Sequence, residues 1–312
     1  MNPLHYMWRM LLMVVVLVAG GARVAHAQDA TPVIVVEGSA TSAPAAEGPG
    51  ANAVNPASFY LYLSAPGNGS VAGIAYADED ILRYDAAAAQ WVKVFDGTNA
   101  GLPGAADIDA LAYRPVNLGA SYYMSFDKPV NVPGLGRVDD SDIVVYTTVL
   151  LNNPTWSLFF VGSNHGLTTD AEDIDALEVH SATEFSISTT GAATVPGYYV
   201  PTLSAADEDV LHYNSNYGSF FMEFDGTQTL GLAANNNIRG TATYADAAGD
   251  LDFFTAQRAA TYSGNQGSLT VAPNDIVVRE ESMYGSLIRY TLFFDASAAG
   301  FPKVDAFDVV RK

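Results

Sequence analysis

Clusters of acidic side chains are the residues of this chain best suited to chemistry. They stand in short runs just before apolar segments and beside glycine-rich stretches. Carboxylate and carbonyl oxygens are the ligands that a hard cation such as Ca²⁺ prefers, and it takes about six to eight of them. The sequence therefore predicts Ca²⁺ as a cofactor, and the candidate ligands are Asp78, Asp80, Asp139, Asp140, Asp142, Asp173, Asp207 and Asp209.

A second interpretation of the same acids is structural. An aspartate at the entry to a strand accepts backbone N–H bonds and so caps the preceding turn. The run Asp78-Glu79-Asp80 also lacks the glycine and the distal glutamate of an EF-hand loop. The sequence leaves both interpretations open.

The elements that position these acids form a repeat. The first copy contains DILRY (residues 80–84), WVKVFDG (91–97) and DIDAL (107–111). The same phrase returns three more times, and the leading aspartates of the four copies are Asp80, Asp142, Asp209 and Asp275. These positions lie 62, 67 and 66 residues apart, a period typical of repeat architectures.

Each copy predicts four short antiparallel strands. Apolar and polar residues alternate in segments rich in Tyr, Phe, Val and Ile, and turn residues separate the segments. In the clearest copy the predicted strands cover residues 107–113, 121–127, 142–147 and 156–161. Four such strands make one blade of a β-propeller, with the first strand innermost. Antiparallel order places the two long connections, from second to third strand and from fourth strand to the next blade, on one side. Most of the acids lie there, and we call this side the long-loop face.

The two ends of the repeat region predict a closed ring. Residues 59–64 (FYLYLS) match a second strand without a first, and residues 304–308 (VDAFD) match a first strand with nothing after it. Pairing these segments completes a blade and removes the exposed edges of an open array. We therefore predict an all-β, four-bladed β-propeller closed by the C-terminal strand. Tandem β-sandwiches or a β-solenoid are the alternatives, although a solenoid usually has shorter coils and parallel strands and would not predict a split repeat.

The rest of the sequence and the composition indicate secretion. Residues 1–27 have the apolar run and cleavage site of a signal peptide, residues 28–56 resemble a disordered linker, and residues 57–312 form the propeller domain. No later segment predicts a transmembrane anchor. The chain has no Cys and a net charge of −20, which disfavours nucleic acid as a partner. We expect an extracellular, cell-surface or periplasmic location.

The predicted innermost strands carry a second set of charged residues. Asp109, Asp175 and Asp305 occupy equivalent places, and Arg239 stands at that place in the degenerate copy. We expect these side chains to approach the central channel. An ion-paired ring is the favoured interpretation, because buried charge persists only when it is paired. A channel cation held by the three acids is the alternative.

Motifs for catalysis are weak. His165, His180 and His212 have no ligand spacing, so the sequence predicts neither a histidine-based zinc site nor a catalytic triad. The glycines fall in turns rather than in a phosphate-binding loop. Paired carboxylates suit a glycosidase, but the acids are too numerous to single out one pair.

The repeat resembles one found in uncharacterised secreted and cell-surface proteins of bacteria, with the pattern DEDIL-x-Y-D … W … FDG … GL … DIDA. The resemblance covers most of the chain after residue 57 and implies a propeller-like repeat and secretion, without an assigned activity. We predict a non-catalytic binding or structural module that depends on calcium and binds an extracellular protein or a glycan on the long-loop face. The alternative is a carbohydrate-active enzyme with paired carboxylates near the channel mouth.

Overall fold

The computed structural model describes residues 54–312 except 150–152, 247, 248, 283, 284, 286 and 302. The predicted signal peptide and nearly all of the predicted linker lie outside the described residues. The strands are β1 (Phe59–Leu63), β2 (Gly69–Val71), β3 (Ile74–Tyr76), β4 (Ile81–Asp85), β5 (Gln90–Phe95), β6 (Ile108–Val116), β7 (Gly119–Phe126), β8 (Val130–Val132), β9 (Gly136–Val138), β10 (Ile143–Val149), β11 (Thr155–Phe160), β12 (Ile174–Val179), β13 (Glu184–Thr189), β14 (Ala193–Pro196), β15 (Thr202–Ala205), β16 (Val210–Asn214), β17 (Ser219–Phe224), β18 (Ile238–Asp246), β19 (Gly249–Ala256), β20 (Ala260–Gly264), β21 (Gly267–Val271), β22 (Ile276–Ser282), β23 (Ile288–Phe294) and β24 (Phe307–Arg311). Single helical turns cover Pro56–Ser58, Gly162–His165, Asp170–Glu172 and Gly226–Leu230. Within these described ranges, no helix has the length and apolar character needed to cross a bilayer.

Four antiparallel sheets of four strands each form the blades of a propeller. From the inside outwards they are β24-β1-β4-β5 (blade 1), β6-β7-β10-β11 (blade 2), β12-β13-β16-β17 (blade 3) and β18-β19-β22-β23 (blade 4). The prediction of an all-β, four-bladed β-propeller is confirmed. The four strands predicted for the clearest repeat are β6, β7, β10 and β11, with ends that differ by no more than three residues.

Blade 1 is built from both ends of the propeller, as predicted. β1 pairs with β24 from Phe59 opposite Arg311 to Leu63 opposite Phe307. The regular strand begins three residues later than the predicted segment 304–308. Backbone bonds nevertheless extend the pairing towards that segment, since the Ser64 N–H donates to the Ala306 carbonyl at 3.0 Å. The last strand of the chain therefore closes the ring.

Four apolar cores, one between each pair of neighbouring blades, hold the ring together. Each core combines the facing sides of two blades, which follows from the alternation of side chains along a strand. Blade 4 and blade 1 share a core that includes Phe59, Phe253 and Phe307, and a second core with Met124 lies between blades 1 and 2. The two remaining cores join blades 2 and 3 and blades 3 and 4. Closure of the ring buries both sides of every blade.

The long connection from the second to the third strand of each blade contains a hairpin. The hairpins are β2-β3, β8-β9, β14-β15 and β20-β21. In blade 3 the hairpin folds along the outer strand, where the Tyr198 N–H donates to the Phe220 carbonyl at 2.7 Å. Its tip also places the Tyr198 ring 4.6 Å from that of Tyr217, in the turn after β16. The hairpin thus covers part of an edge strand that would otherwise be free to pair with another chain.

Candidate functional site

The leading aspartate of each repeat caps the turn before the third strand of its blade. In blade 2, the Asp142 carboxylate accepts the Asp139 N–H and the Gly162 N–H, both at 3.0 Å. Equivalent pairs of bonds are accepted in the other blades by Asp80, Asp209 and Asp275. Each carboxylate therefore ties the start of the third strand to the end of the fourth. Both oxygens of the predicted calcium ligands Asp80, Asp142 and Asp209 serve this structural role.

The other predicted calcium ligands are spread around the ring. The Asp139 side chain is exposed and lies 3.8 Å from Arg137. The backbone carbonyls of three half-buried acids accept the first N–H of the next inner strand, and these acids are Asp78, Asp140 and Asp207. Asp173 stands instead at the start of β12, beside the central channel. The eight acids thus belong to the connections of different blades and do not gather at one point.

A β-bulge at the start of the inner strands turns one side chain towards the channel. In blade 2 the pairing steps from Ile108 directly to Ala110, which leaves Asp109 unpaired. Asp175 and Arg239 are the unpaired residues at the same bulge in blades 3 and 4. Bulges commonly redirect a side chain in this way. With Asp305 of blade 1, these residues form what we call the lower ring.

A second set of side chains lies two residues earlier in the sequence, just before each inner strand and towards the long-loop face. This upper ring consists of Asp107, Asp173, Asn237 and Lys303. Its members interact with the lower ring, since, besides burial, the charge of Asp305 raises the pKa of Asp107 and the charge of Asp173 raises the pKa of Asp109. The two rings together contain five carboxyl groups, one amide and two cationic side chains.

The four channel residues predicted from the sequence come together in the lower ring. The Arg239 Nη1 lies 3.4 Å from the Asp305 Oδ1. The Asn237 amide nitrogen donates to Asp175, and Asp109 interacts with another acid rather than with Arg239. Among the described residues, one guanidinium thus reaches one of the three acids directly, and no charge compensation of that kind stands beside Asp109.

Burial raises the pKa of every carboxyl group in the two rings. The pKa is about 8 for Asp107, about 7 for Asp173, about 6 for Asp305, and well above the ordinary value for Asp109 and Asp175. Burial is the largest cause in each case, because the charged form loses its hydration. Repulsion between neighbouring carboxylates acts in the same direction. At neutral pH several of these groups therefore hold protons.

Several buried oxygens of the rings have no hydrogen-bond partner among the described residues. They are the Oδ1 atoms of Asp107, Asp109, Asp173, Asp175 and Asn237. The side chains of Asp109, Asp175 and Asn237 belong to residues that are only 5, 3 and 5 % exposed. An unpartnered buried acceptor costs about 1–3 kcal/mol, and more when it is charged. This set of oxygens is suited to binding a cation.

Sequence reasoning missed the upper ring and one histidine cluster. The signal that could have found the upper ring is the DID motif, which puts Asp107 two residues before Asp109, but the direction of both side chains depends on the bulge at Asp109. The sequence spacing of the histidines does not predict that two of them come together. The rings of His180 and His212 stack with centroids 5.0 Å apart in blade 3. That contact depends on strand register, which the spacing of the two histidines does not reveal.

No family model and no curated protein matches this chain. Among solved structures it is similar to the Dos1 propeller, at 12% identity and a TM-score of 0.22. It is also similar to the extracellular domain of the putative one component system BT4673 from B. thetaiotaomicron, at 9% identity and a TM-score of 0.21. Each alignment covers 69% of this chain and 39% of the solved chain, so this chain matches well under half of either structure. The assignment of the fold rests on the sheet topology and not on these alignments.

Proposed function

We propose that this chain is a secreted, non-catalytic binding module whose central channel binds a divalent hard cation, with Ca²⁺ as the ion. The observation that carries the proposal is the set of buried oxygens in the two rings that lack a hydrogen-bond partner. Carboxylates and amide carbonyls are the ligands that Ca²⁺ takes. The charge of the ion also offsets the repulsion between carboxylates that only one guanidinium approaches.

The raised pKa values are consistent with a cation that competes with protons. Asp107 and Asp173 have pKa values of about 8 and about 7, so they are partly protonated at neutral pH. A carboxyl group must lose its proton to become a good ligand, and cation binding then releases protons. The affinity for Ca²⁺ is therefore expected to increase from pH 6 to pH 8.

The partner that we propose is an extracellular protein or a glycan bound on the long-loop face. The upper ring lies at the start of the inner strands and so opens towards that face. A cation there can accept further oxygen ligands, such as a hydroxyl group of a sugar or a carboxylate of a protein. Long connections on a rigid scaffold are common places for binding. Secretion itself is supported by the signal-peptide pattern in residues 1–27.

The enzymatic alternative receives less support from the same residues. A glycosidase holds its two carboxyl groups about 5 Å or more apart with the sugar between them. In the two rings the acids interact in several combinations, since, besides burial, the pKa of Asp109 is raised by Asp173, Asp305 and Asp175, and that of Asp107 by Asp305. No single pair therefore stands out as the acid and the nucleophile of a glycosidase. We therefore favour binding over hydrolysis.

The test compares calcium-dependent stability in two double variants. Asp109→Asn with Asp175→Asn removes charged ligands, but the amide imitates the protonated acid and should preserve the fold. Asp139→Asn with Asp140→Asn is the matched control on the long-loop face. At a Ca²⁺ concentration of a hundred times Kd, binding stabilises by about 2.7 kcal/mol. That corresponds to a rise in Tm of about 5–11 °C for a domain of this size.

We expect the wild type and the control variant to melt higher in CaCl2 than in EDTA, and the channel variant to melt at one temperature in both. Calorimetric titration of the same proteins gives the stoichiometry. If the channel variant keeps its calcium response and the control variant loses it, the ion binds to the loops of the long-loop face instead. A wild type without any calcium response contradicts the proposal.

A further inference from the structure

Blade 3 departs from the other blades at three positions that are equivalent by strand register. The first two positions are a pair of residues that stand opposite each other on the second and third strands. In blade 3 this pair is Ser186 and His212. In blades 1, 2 and 4 it is Tyr62 with Arg83, Tyr123 with Val145, and Phe253 with Val278. The bulged residue of the outer strand is Val94, Phe159 or Phe293 in the other blades, and Glu223 in blade 3. The fold tolerates large apolar groups at most of these places. Maintenance of the blade alone therefore does not explain Ser, His and Glu together.

These side chains converge with His180 inside blade 3. The Ser186 hydroxyl oxygen lies 2.7 Å from His180 Nε2 and 3.2 Å from His212 Nδ1, and it donates to the Glu223 carboxylate. The His212 Nδ1 is 3.9 Å from the Glu223 Oε2. One ligand atom from each of His180, His212 and Glu223 lies within 4.8 Å of the other two. Their side chains are no more than 3% exposed.

A second carboxylate supports this cluster from behind. The Nδ1 of His180 lies 3.3 Å from the Glu178 Oε1, so its Nε2 is directed to the other side, towards the cluster. Glu178 is itself held by the Thr243 hydroxyl of blade 4, at 2.7 and 2.8 Å from its two oxygens. Histidines that bind metals usually have a carboxylate behind the ring, and Glu178 stands in that place here at ion-pair distance.

We propose that His180, His212 and Glu223 form a binding site for a divalent transition-metal ion, in the class of Zn²⁺. Two imidazoles and one carboxylate are a common ligand set for zinc, and imidazole nitrogen suits Zn²⁺ much better than Ca²⁺. His180 precedes an exposed turn, residues 181–183, so the ion has a short path from the solvent. This site is independent of the channel and does not rest on the proposed function.

The position of Ser186 makes the proposal specific. Its hydroxyl group lies in the middle of the three ligand atoms, where a metal with bonds of about 2.0–2.2 Å would have to stand. The ion therefore binds when the Ser186 side chain rotates away or becomes the fourth ligand. The His212 Nδ1 and the Glu223 Oε2, which are 3.9 Å apart, also have to move slightly closer together.

The test measures zinc binding to the full chain after treatment with EDTA and transfer into excess CaCl2. The variants His212→Val and Glu223→Val introduce residues that other blades carry at the same places, so they are compatible with the fold. His165→Gln is the matched control, because His165 stacks on Phe160 and contacts Tyr213, whose side chain lies on the opposite side of β16 from that of His212. Visible absorption of bound Co²⁺, titration with ZnCl2 and the zinc-dependent shift of Tm are the readouts.

We expect one Zn²⁺ per chain in the wild type and in His165→Gln, and a loss of affinity of at least tenfold in both valine variants. Ser186→Ala should still bind zinc, because it removes the group that occupies the centre of the cluster. A cluster that is only a hydrogen-bonded network gives a different result: no Co²⁺ spectrum and no zinc-dependent shift of Tm in any of the proteins. Zinc binding that persists in both valine variants, or that disappears in His165→Gln, also overturns the proposal.

Discussion

The contact between Gly240 and Phe307 gives a direct test of ring closure. Gly240 lies on β18, the inner strand of blade 4, and Phe307 is the first residue of β24. A Cβ atom added to Gly240 would lie 2.4 Å from the Cδ1 and 2.6 Å from the Cε1 of Phe307. Phe307 is fully buried, so its ring has little room to move away. Gly240→Ala should therefore destabilise the propeller through this one contact.

The magnitudes follow from the packing. Phe307→Ala removes a buried aromatic ring and should cost about 3–5 kcal/mol. Gly240→Ala adds a methyl group to a filled space and should cost about 1–3 kcal/mol. In the double variant the new methyl group enters the cavity left by the ring, so the second substitution should cost almost nothing. The two changes are therefore expected to show a coupling free energy of about 1–3 kcal/mol.

Urea denaturation of the four proteins, followed by circular dichroism in constant CaCl2, measures this coupling. Gly104→Ala is the control, since a Cβ there meets no atom within 4 Å, and it should change the free energy of unfolding by less than about 0.5 kcal/mol. If Gly240→Ala costs the same with and without the Phe307 ring, the two residues are not in contact and the C-terminal strand does not close the ring as described.

Two further predictions concern the turns and the channel. Asp142→Ala leaves the Asp139 and Gly162 N–H groups without an acceptor and should cost about 2–4 kcal/mol, whereas the exposed Asp139→Ala should cost less than about 1 kcal/mol in the same urea denaturation experiment. In EDTA, Tm should fall from pH 6.5 to pH 8.5, because Asp173 and Asp107, with pKa values of about 7 and about 8, keep protons that the unfolded chain has already lost. The two bound protons stabilise the folded state at the lower pH, and this stabilisation is lost as the protons dissociate. A Tm that rises over this range would contradict the buried positions of the two acids.

The fold was predictable because its main signals are local and repeated. The unmatched segments at residues 59–64 and 304–308 required a shared blade, and the period defined the remaining blades. The detailed geometry of the channel was less accessible. The side-chain direction of Asp109 depends on a bulge, which appears only when the pairing of β6 with β7 is known. The approach of His180 to His212 likewise depends on which residues stand opposite each other in the sheet.

The split blade also determines how the propeller responds to mechanical force. Phe59 and Arg311 lie opposite each other in an antiparallel ladder, so the chain enters and leaves the ring at neighbouring points. A pull between these two points loads the hydrogen bonds of β1 and β24 one after another, as in a zipper, and not all at once. The first event is separation of the strand that contains Phe307, which opens the ring and exposes the channel. A pull between the Phe59 end and the long-loop face does not separate the β1–β24 hydrogen bonds one after another. Tension between Phe59 and Arg311 should therefore open the ring most easily.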